Sequence, residues 1–344
     1  MQANAAELVR VAASPEAMIN GVAVSPQGRV FASFPRWADG PTPCVAEAMA
    51  DGTFRPFPGG AWNAWRPGEP TQDRFVAVHS VFADRDSHLW VIDDSAPHHQ
   101  ALDGARPKIV RIDLGRDAVS RVYALDEIAA PPGAILGHMR VAGRHAFVTE
   151  SHHGAIIVLD LDSGAARRRL GRAPQTRADP TIVPVIDGKE FRRWDGGVQR
   201  VNVNLIELSN DRKWLYFTAL FGPMLRRVET RLLLDPALDD DAIVPQIEDI
   251  VPIPPCAGIA VDARDNLYLS SFTENAIAVI GADRVRRIVA QDPRISFPNE
   301  GCVGPDGHLY VPASQIHRIA LFQTDRVARV QKPWELLKLE LPRT

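Results

Sequence analysis

The 344-residue sequence has little of what would tie a chain to cross-links, a membrane or a nucleic acid. Its three cysteines, Cys44, Cys256 and Cys302, are odd in number, far apart and without a C-x-x-C pair. That excludes a disulfide framework and a zinc knuckle. No apolar run is long enough to span a bilayer, and the opening MQANAAELVRVAASPEAM lacks the apolar core of a secretion signal. The expectation is a soluble protein, cytoplasmic, or secreted or periplasmic had a signal been removed. The formal charge of −3 comes with no sustained basic face. The one basic run, Arg167-Arg168-Arg169, is too narrow for a nucleic-acid or anionic-membrane footprint. Three catalytic signatures are missing as well: the G-x-S-x-G elbow, the G-x-x-x-x-G-K-[ST] phosphate loop and H-E-x-x-H. The Asp-Gly pairs at 51–52, 103–104, 187–188, 195–196 and 306–307 are turn formers, not calcium loops. The partner left standing is a small-molecule substrate.

What is present is repetition. GVAVSPQGRVFASF (21–34), VFADRDSHLWVIDDS (81–95) and HMRVAGRHAFVTES (138–151) share one pattern with LIELSNDRKWLYFTAL (205–220), GIAVDARDNLYLSSF (258–272) and CVGPDGHLYVPAS (302–314). Each is a short apolar strand, a turn rich in Asp, Asn, Gly or Pro, and an aromatic-led strand, which is hairpin grammar. A further apolar run follows each hairpin: CVAEAM, KIVRIDL, AIIVLDL, MLRRVE, AIAVIG and IHRIALF. Recurrence every 40–60 residues or so suits propeller blades rather than a solenoid or a sandwich. The expected fold is an all-β, six-bladed propeller with a central channel, one domain over 1–344. LVRVAA (8–13) is expected to pair with the last blade, because an open array leaves raw sheet edges. Residues 173–200 form an insert over one face, and the tail 331–344 packs outside the blades.

In such a fold two sets of residues meet at one mouth of the channel: those before each inner strand and those after each aromatic-led strand. The first set is Asn20, His79, His138, Asn204, Cys256-Ala257 and Asn299-Glu300. The second is Arg36, Asp94, His98, His99, Glu150, His152, His153, Glu274, Asn275 and Gln315. Six of ten histidines fall in these positions, and histidine titrates near neutrality and ligates metals. The paired histidines 98–99 and 152–153 also read as ordinary surface loops. Substrate contacts are expected from Asn20, Arg36, Asn204, Cys256, Asn299, His152 and Glu150, with His79 and His138 as acid–base groups. Glu300, at the entrance of the last inner strand, is either a general acid–base or a carboxylate bonded to the backbone around Gly301.

VSPQGRVFASFPRW, DGTFRPFP with AWN close behind, LWVIDDS, LIELSNDRKWLYFTAL and GIAVDARDNLYLSSFTENAI resemble the Yellow/major royal jelly family over nearly the whole chain. The resemblance implies a six-bladed propeller related to the gluconolactonase (SMP-30-like) and strictosidine synthase propellers. Its insect members include dopachrome-converting enzymes, pigment proteins and nutritional proteins, so it implies fold more than chemistry. By that kinship Asn204 matches a metal-ligating asparagine of the lactonases. Asn20 and Ala257, however, stand where they have a glutamate and an aspartate. Glu300 is similar in position to the catalytic glutamate of strictosidine synthase. One divalent metal held by Asn204, His79 and His138, or no cofactor at all, are both open. Three functions follow: hydrolysis of a lactone or similar cyclic ester, tautomerase chemistry of the dopachrome-converting type, and a non-catalytic ligand-binding propeller.

Overall fold

Each repeated unit is closed by its own turn. The Asp84 carboxylate accepts from the N–H groups of Asp86 and His88 and from the Trp90 indole at 2.7 Å. Asp262 does the same for Arg264, Asn266 and the Tyr268 hydroxyl, and Asp306 takes the Tyr310 hydroxyl at 2.8 Å. A turn aspartate thus fixes both the reversal and an aromatic side chain of the second strand. This is why acid-rich turns and aromatic-led strands travel together in the sequence.

The structure is a computed structural model describing residues 7–37, 43–100, 102 and 104–342. It has six four-stranded antiparallel sheets, the blades of a β-propeller, and a separate two-stranded hairpin. The inner strands are Gly21–Val24, Val78–Ala83, Leu136–Ala142, Val203–Leu208, Ile259–Val261 and Cys302–Val303. Leu8–Ser14 pairs with Trp334–Glu340 and becomes the outer strand of the sixth blade, so the ring closes as expected. Each neighbouring pair of blades shares an apolar cluster. Phe217 faces the third blade and Tyr216 the fifth, because successive strand side chains point to opposite faces.

Two expectations are corrected. The tail does not pack outside the blades: Trp334–Glu340 is the third strand of the sixth blade, pairing with His308–Ala313. IHRIALF, expected there, forms two short 3-10 turns. The reason is burial. Leu336, Leu337 and Leu339 are wholly buried between neighbouring blades, whereas Ile316 and Phe322 sit only half-buried on the channel face.

The segment 173–200 lies over that face above blades four to six. Phe191 packs on Phe221, Phe272, Phe297 and Phe322. Asp187, at the tip of the small hairpin Val185–Ile186 and Lys189–Glu190, accepts from Asn275, His317 and Arg318 at 2.8–3.1 Å.

Candidate active site

Three inner strands carry a β-bulge at the same level. Strand pairing slips between Val78 and Ser80, between Leu136 and Met139, and between Val203 and Leu205. His79, His138 and Asn204 sit in those slips. A bulge leaves a residue outside the ladder and re-aims its side chain, here toward the axis. Hydroxyls tie the bulged backbones of successive blades together: Ser33 Oγ donates to the His79 carbonyl (3.1 Å), Ser80 Oγ to that of Gly137 (2.7 Å), and Thr149 Oγ1 to that of Asn204 (2.7 Å). Gly137 is required at this junction, because a Cβ there would lie 2.5 Å from Thr149 Oγ1 and 2.9 Å from Asn204 Nδ2.

Glu300 enters the same space from the sixth blade. Its Oε1 lies 3.2 Å from Arg140 Nη1 and 3.6 Å from His138 Nδ1, and all three side chains are buried. The His138 ring is 6.2 Å from that of His79, centroid to centroid. Arg140 also donates to Glu207 at 2.9 Å and to the Met139 and Ile259 carbonyls, so one guanidinium links four blades. Both ring nitrogens of His138, and Oε2 of Glu300, have no hydrogen-bond partner among the described residues. The Ser80 hydroxyl beside Glu300 donates to Gly137 instead. Buried polar atoms are rarely left so.

Electrostatics follow from that burial. Desolvation pushes Glu300 up to about 7, with Arg140 opposing and Glu207 adding to the rise. Burial, then the neighbouring His79 and Arg140, hold His138 well below the usual imidazole range, so it is neutral. The array therefore pairs a carboxyl poised near neutrality with an uncharged imidazole. A cavity of about 840 Å³ on the hairpin-turn face is lined by Arg140, Glu207 and Glu300 of this cluster, while His138 is not part of its wall. That face is opposite the mouth the strand order suggests. On the expected side, half-buried His79 packs edge-on against Trp37 at 5.5 Å.

His79, His138, Asn20, Asn204, Asn299 and Glu300 are brought together. Asn20 donates to the His79 carbonyl at 2.8 Å and accepts from Asn299 at 2.6 Å; the Asn299 side-chain oxygen accepts from the Glu300 N–H at 2.9 Å. The other site expectations fall elsewhere. Glu150 is buried and holds its own loop, accepting from the N–H groups of His152 and His153 and from Arg168. His152 is exposed. Arg36 points to Cys44 Sγ and over the Trp65 ring. Cys256 sits in the apolar cluster between blades four and five, where burial pushes its thiol up to about 12, so it is neither nucleophile nor contact. His98 is exposed, and the His99 side chain lies outside the described residues. Arg140 and Glu207 were missed. The signal for Arg140 is its place two residues after His138, hence on the same strand face, as a lone cation in an otherwise apolar inner strand.

The donor set does not fit a lactonase-type cation cage. Hard cations want several carboxylate or carbonyl oxygens. Here the one carboxylate near Asn204, His79 and His138 is already held by Arg140, and the Asn20 oxygen is held by Asn299. Among the described residues no three His, Cys, Asp or Glu side chains converge as ligands. Nor is any helix among them long and apolar enough to cross a membrane.

The same fold is found in solved structures. Virginiamycin B lyase from Staphylococcus aureus is 15% identical, with a TM-score of 0.57 over 98% of this chain and 99% of that one. A gluconolactonase from Xanthomonas campestris is 15% identical, with a TM-score of 0.55 over 98% and 90%. The PQQ-bound aldose sugar dehydrogenase from Streptomyces coelicolor is 13% identical, with a TM-score of 0.54 over 98% and 99%. At these identities the likeness shows the fold. No curated protein matches the chain by sequence. The model of the major royal jelly proteins matches residues 76–321, which span the inner strands of blades two to six, and the chain belongs to the major royal jelly protein family.

Proposed function

We propose that the protein is an enzyme that opens a small, polar, cyclic ester, a lactone or a close relative, with water activated by Glu300. One observation carries this reading: a buried carboxyl poised near pH 7 keeps one oxygen unbonded beside a neutral histidine with both ring nitrogens unbonded. Ionised Glu300 takes a proton from water as the water oxygen attacks the ester carbonyl carbon. The N–H of His138 donates to the resulting oxyanion. Collapse breaks the ring C–O bond, and Glu300 returns its proton to the leaving alkoxide. Arg140 holds Glu300 by one oxygen and leaves the other for water. No step is routed through a metal. That a gluconolactonase and a sugar dehydrogenase share the fold supports a cyclic, sugar-sized substrate.

A second reading rests on the His138–Glu300 contact itself. Two proton-accepting groups 3.6 Å apart can remove a proton from carbon and return one elsewhere, which is isomerisation. Turnover of a panel of sugar and aromatic lactones in ¹⁸O-water separates the two. Hydrolysis places ¹⁸O in the product acid and is lost in Glu300→Gln. Isomerisation leaves the mass unchanged and, in D₂O, places deuterium on carbon. Saturable binding with neither outcome identifies a binding protein and overturns the enzyme reading.

A further inference from the structure

We propose that the funnel on the hairpin-turn face binds the anionic group of a small molecule, a carboxylate or a phosphate, through Arg212 and Arg85. This does not depend on what Glu300 does. Arg212 lines the funnel above Arg140 and is half-buried. Its guanidinium makes no hydrogen bond and no ion pair among the described residues. The charges nearest it are mostly of its own sign: Arg85 and Arg140, with Glu207 opposing. Arg85 is oriented from beside it, donating to the Asn210 side chain at 3.0 Å. The carboxylates of the wall are already engaged: Glu207 by Arg140, Asp84 by its turn and Trp90, Asp262 by its turn and Tyr268, and Asp306 by Tyr310 and Lys338. Of the funnel's other acids, Glu300 at the floor is held by Arg140 and Asp86 is exposed. A half-buried guanidinium fork without a partner, in a cavity and beside a second fork, is the arrangement that bidentate oxyanions fill.

The backbone points the same way. Arg212 has φ +64°, in a turn position that Gly28, Gly143 and Gly307 occupy in three other blades and Ser87 and Asp265 in the remaining two, all at positive φ. This turn takes residues of several kinds at positive φ and so does not itself call for an arginine. Because glycine suits that φ, Arg212→Gly removes the guanidinium without threatening the fold.

The test is calorimetric titration of the full chain at low salt with inorganic phosphate and, separately, with succinate. Saturable one-site binding is expected, weakened about tenfold or more by Arg212→Gly and less by Arg85→Gln. It should fall with added salt and be unchanged by Arg192→Gln, an arginine of the insert that does not line the funnel. The melting temperature of Arg212→Gly should hold or rise. Whichever probe binds more tightly names the anion class. No saturable binding of either probe at millimolar concentration, or binding that survives Arg212→Gly intact, overturns the proposal.

Discussion

Replacing Glu300 by glutamine tests the site through stability before any substrate is known. A carboxyl whose affinity for protons is higher folded than unfolded favours folding below its ordinary value of 4.5, and that advantage is lost as pH rises to about 7. At about 1.4 kcal/mol per pH unit, the interval is worth about 3 kcal/mol. Glutamine, a neutral shape mimic, has no such dependence. The stability of Glu300→Gln minus that of the parent should therefore shift in the variant's favour by about 3 kcal/mol between pH 4.5 and pH 8, about 5 °C in Tm for a chain of this size. Titrating groups remote from Glu300 cancel in the difference. Parallel thermal or urea melts of the two proteins across that range provide the measurement. Turnover of any substrate found should fall about 100-fold or more, because the amide accepts no proton. A stability difference that stays flat with pH would falsify the claim that Glu300 is a buried acid tuned toward neutrality, and the proposed water activation would go with it.

Other perturbations probe the surroundings of that carboxyl. In the parent, kcat/KM for ester opening should rise through pH 7 as Glu300 ionises; a rate that falls through the same pH would assign it as the acid instead. Arg140→Ala leaves Glu207 and Glu300 buried without their shared cation. It should cost about 3–5 kcal/mol in denaturant melts, and the activity limb should move to higher pH because Arg140 holds Glu300 down. His138→Phe should lower turnover about 100-fold with little change in stability, since no hydrogen bond of the ring is lost; an unaffected rate removes His138 from the chemistry. Gly258→Ala would put a Cβ 2.6 Å from the Asn299 carbonyl and 3.0 Å from Glu300 Cα. Overpacking of that kind costs about 1–3 kcal/mol and should displace the carboxyl, so activity should fall more than the melting point suggests.

The propeller was legible because each blade restates one local rule: a polar turn, an alternating strand and an aromatic lead. Summed over six units, those rules leave few alternatives. The site was legible where it follows blade level. His79, His138, Asn204 and Glu300 all precede or open inner strands, and the shared bulges lift three of them to one height. Glu150 and Cys256 occupy the same formal positions and yet turn away, because a loop position does not settle which way a side chain points. Glu150 finds four N–H donors behind it, and Cys256 finds Leu205 and Ile259. The wrong blade assignment at the C-terminal end has a related cause. IHRIALF and WELLKLE are both apolar alternations, and only packing against neighbouring blades decides which one enters the ladder.

Leu8–Ser14 bonds to a strand made almost the whole chain later. During synthesis the early segment must wait, its hydrogen-bonding edge bare, until Trp334–Glu340 emerges, so the circle can be completed only after all the intervening blades have been made. The junction between these strands lies inside the sixth blade and is held by pairing alone. A rearranged gene that appends residues 8–14 after Glu340 through a short linker, and starts the polypeptide at Pro15, would convert that clasp into an ordinary hairpin and should relieve the wait.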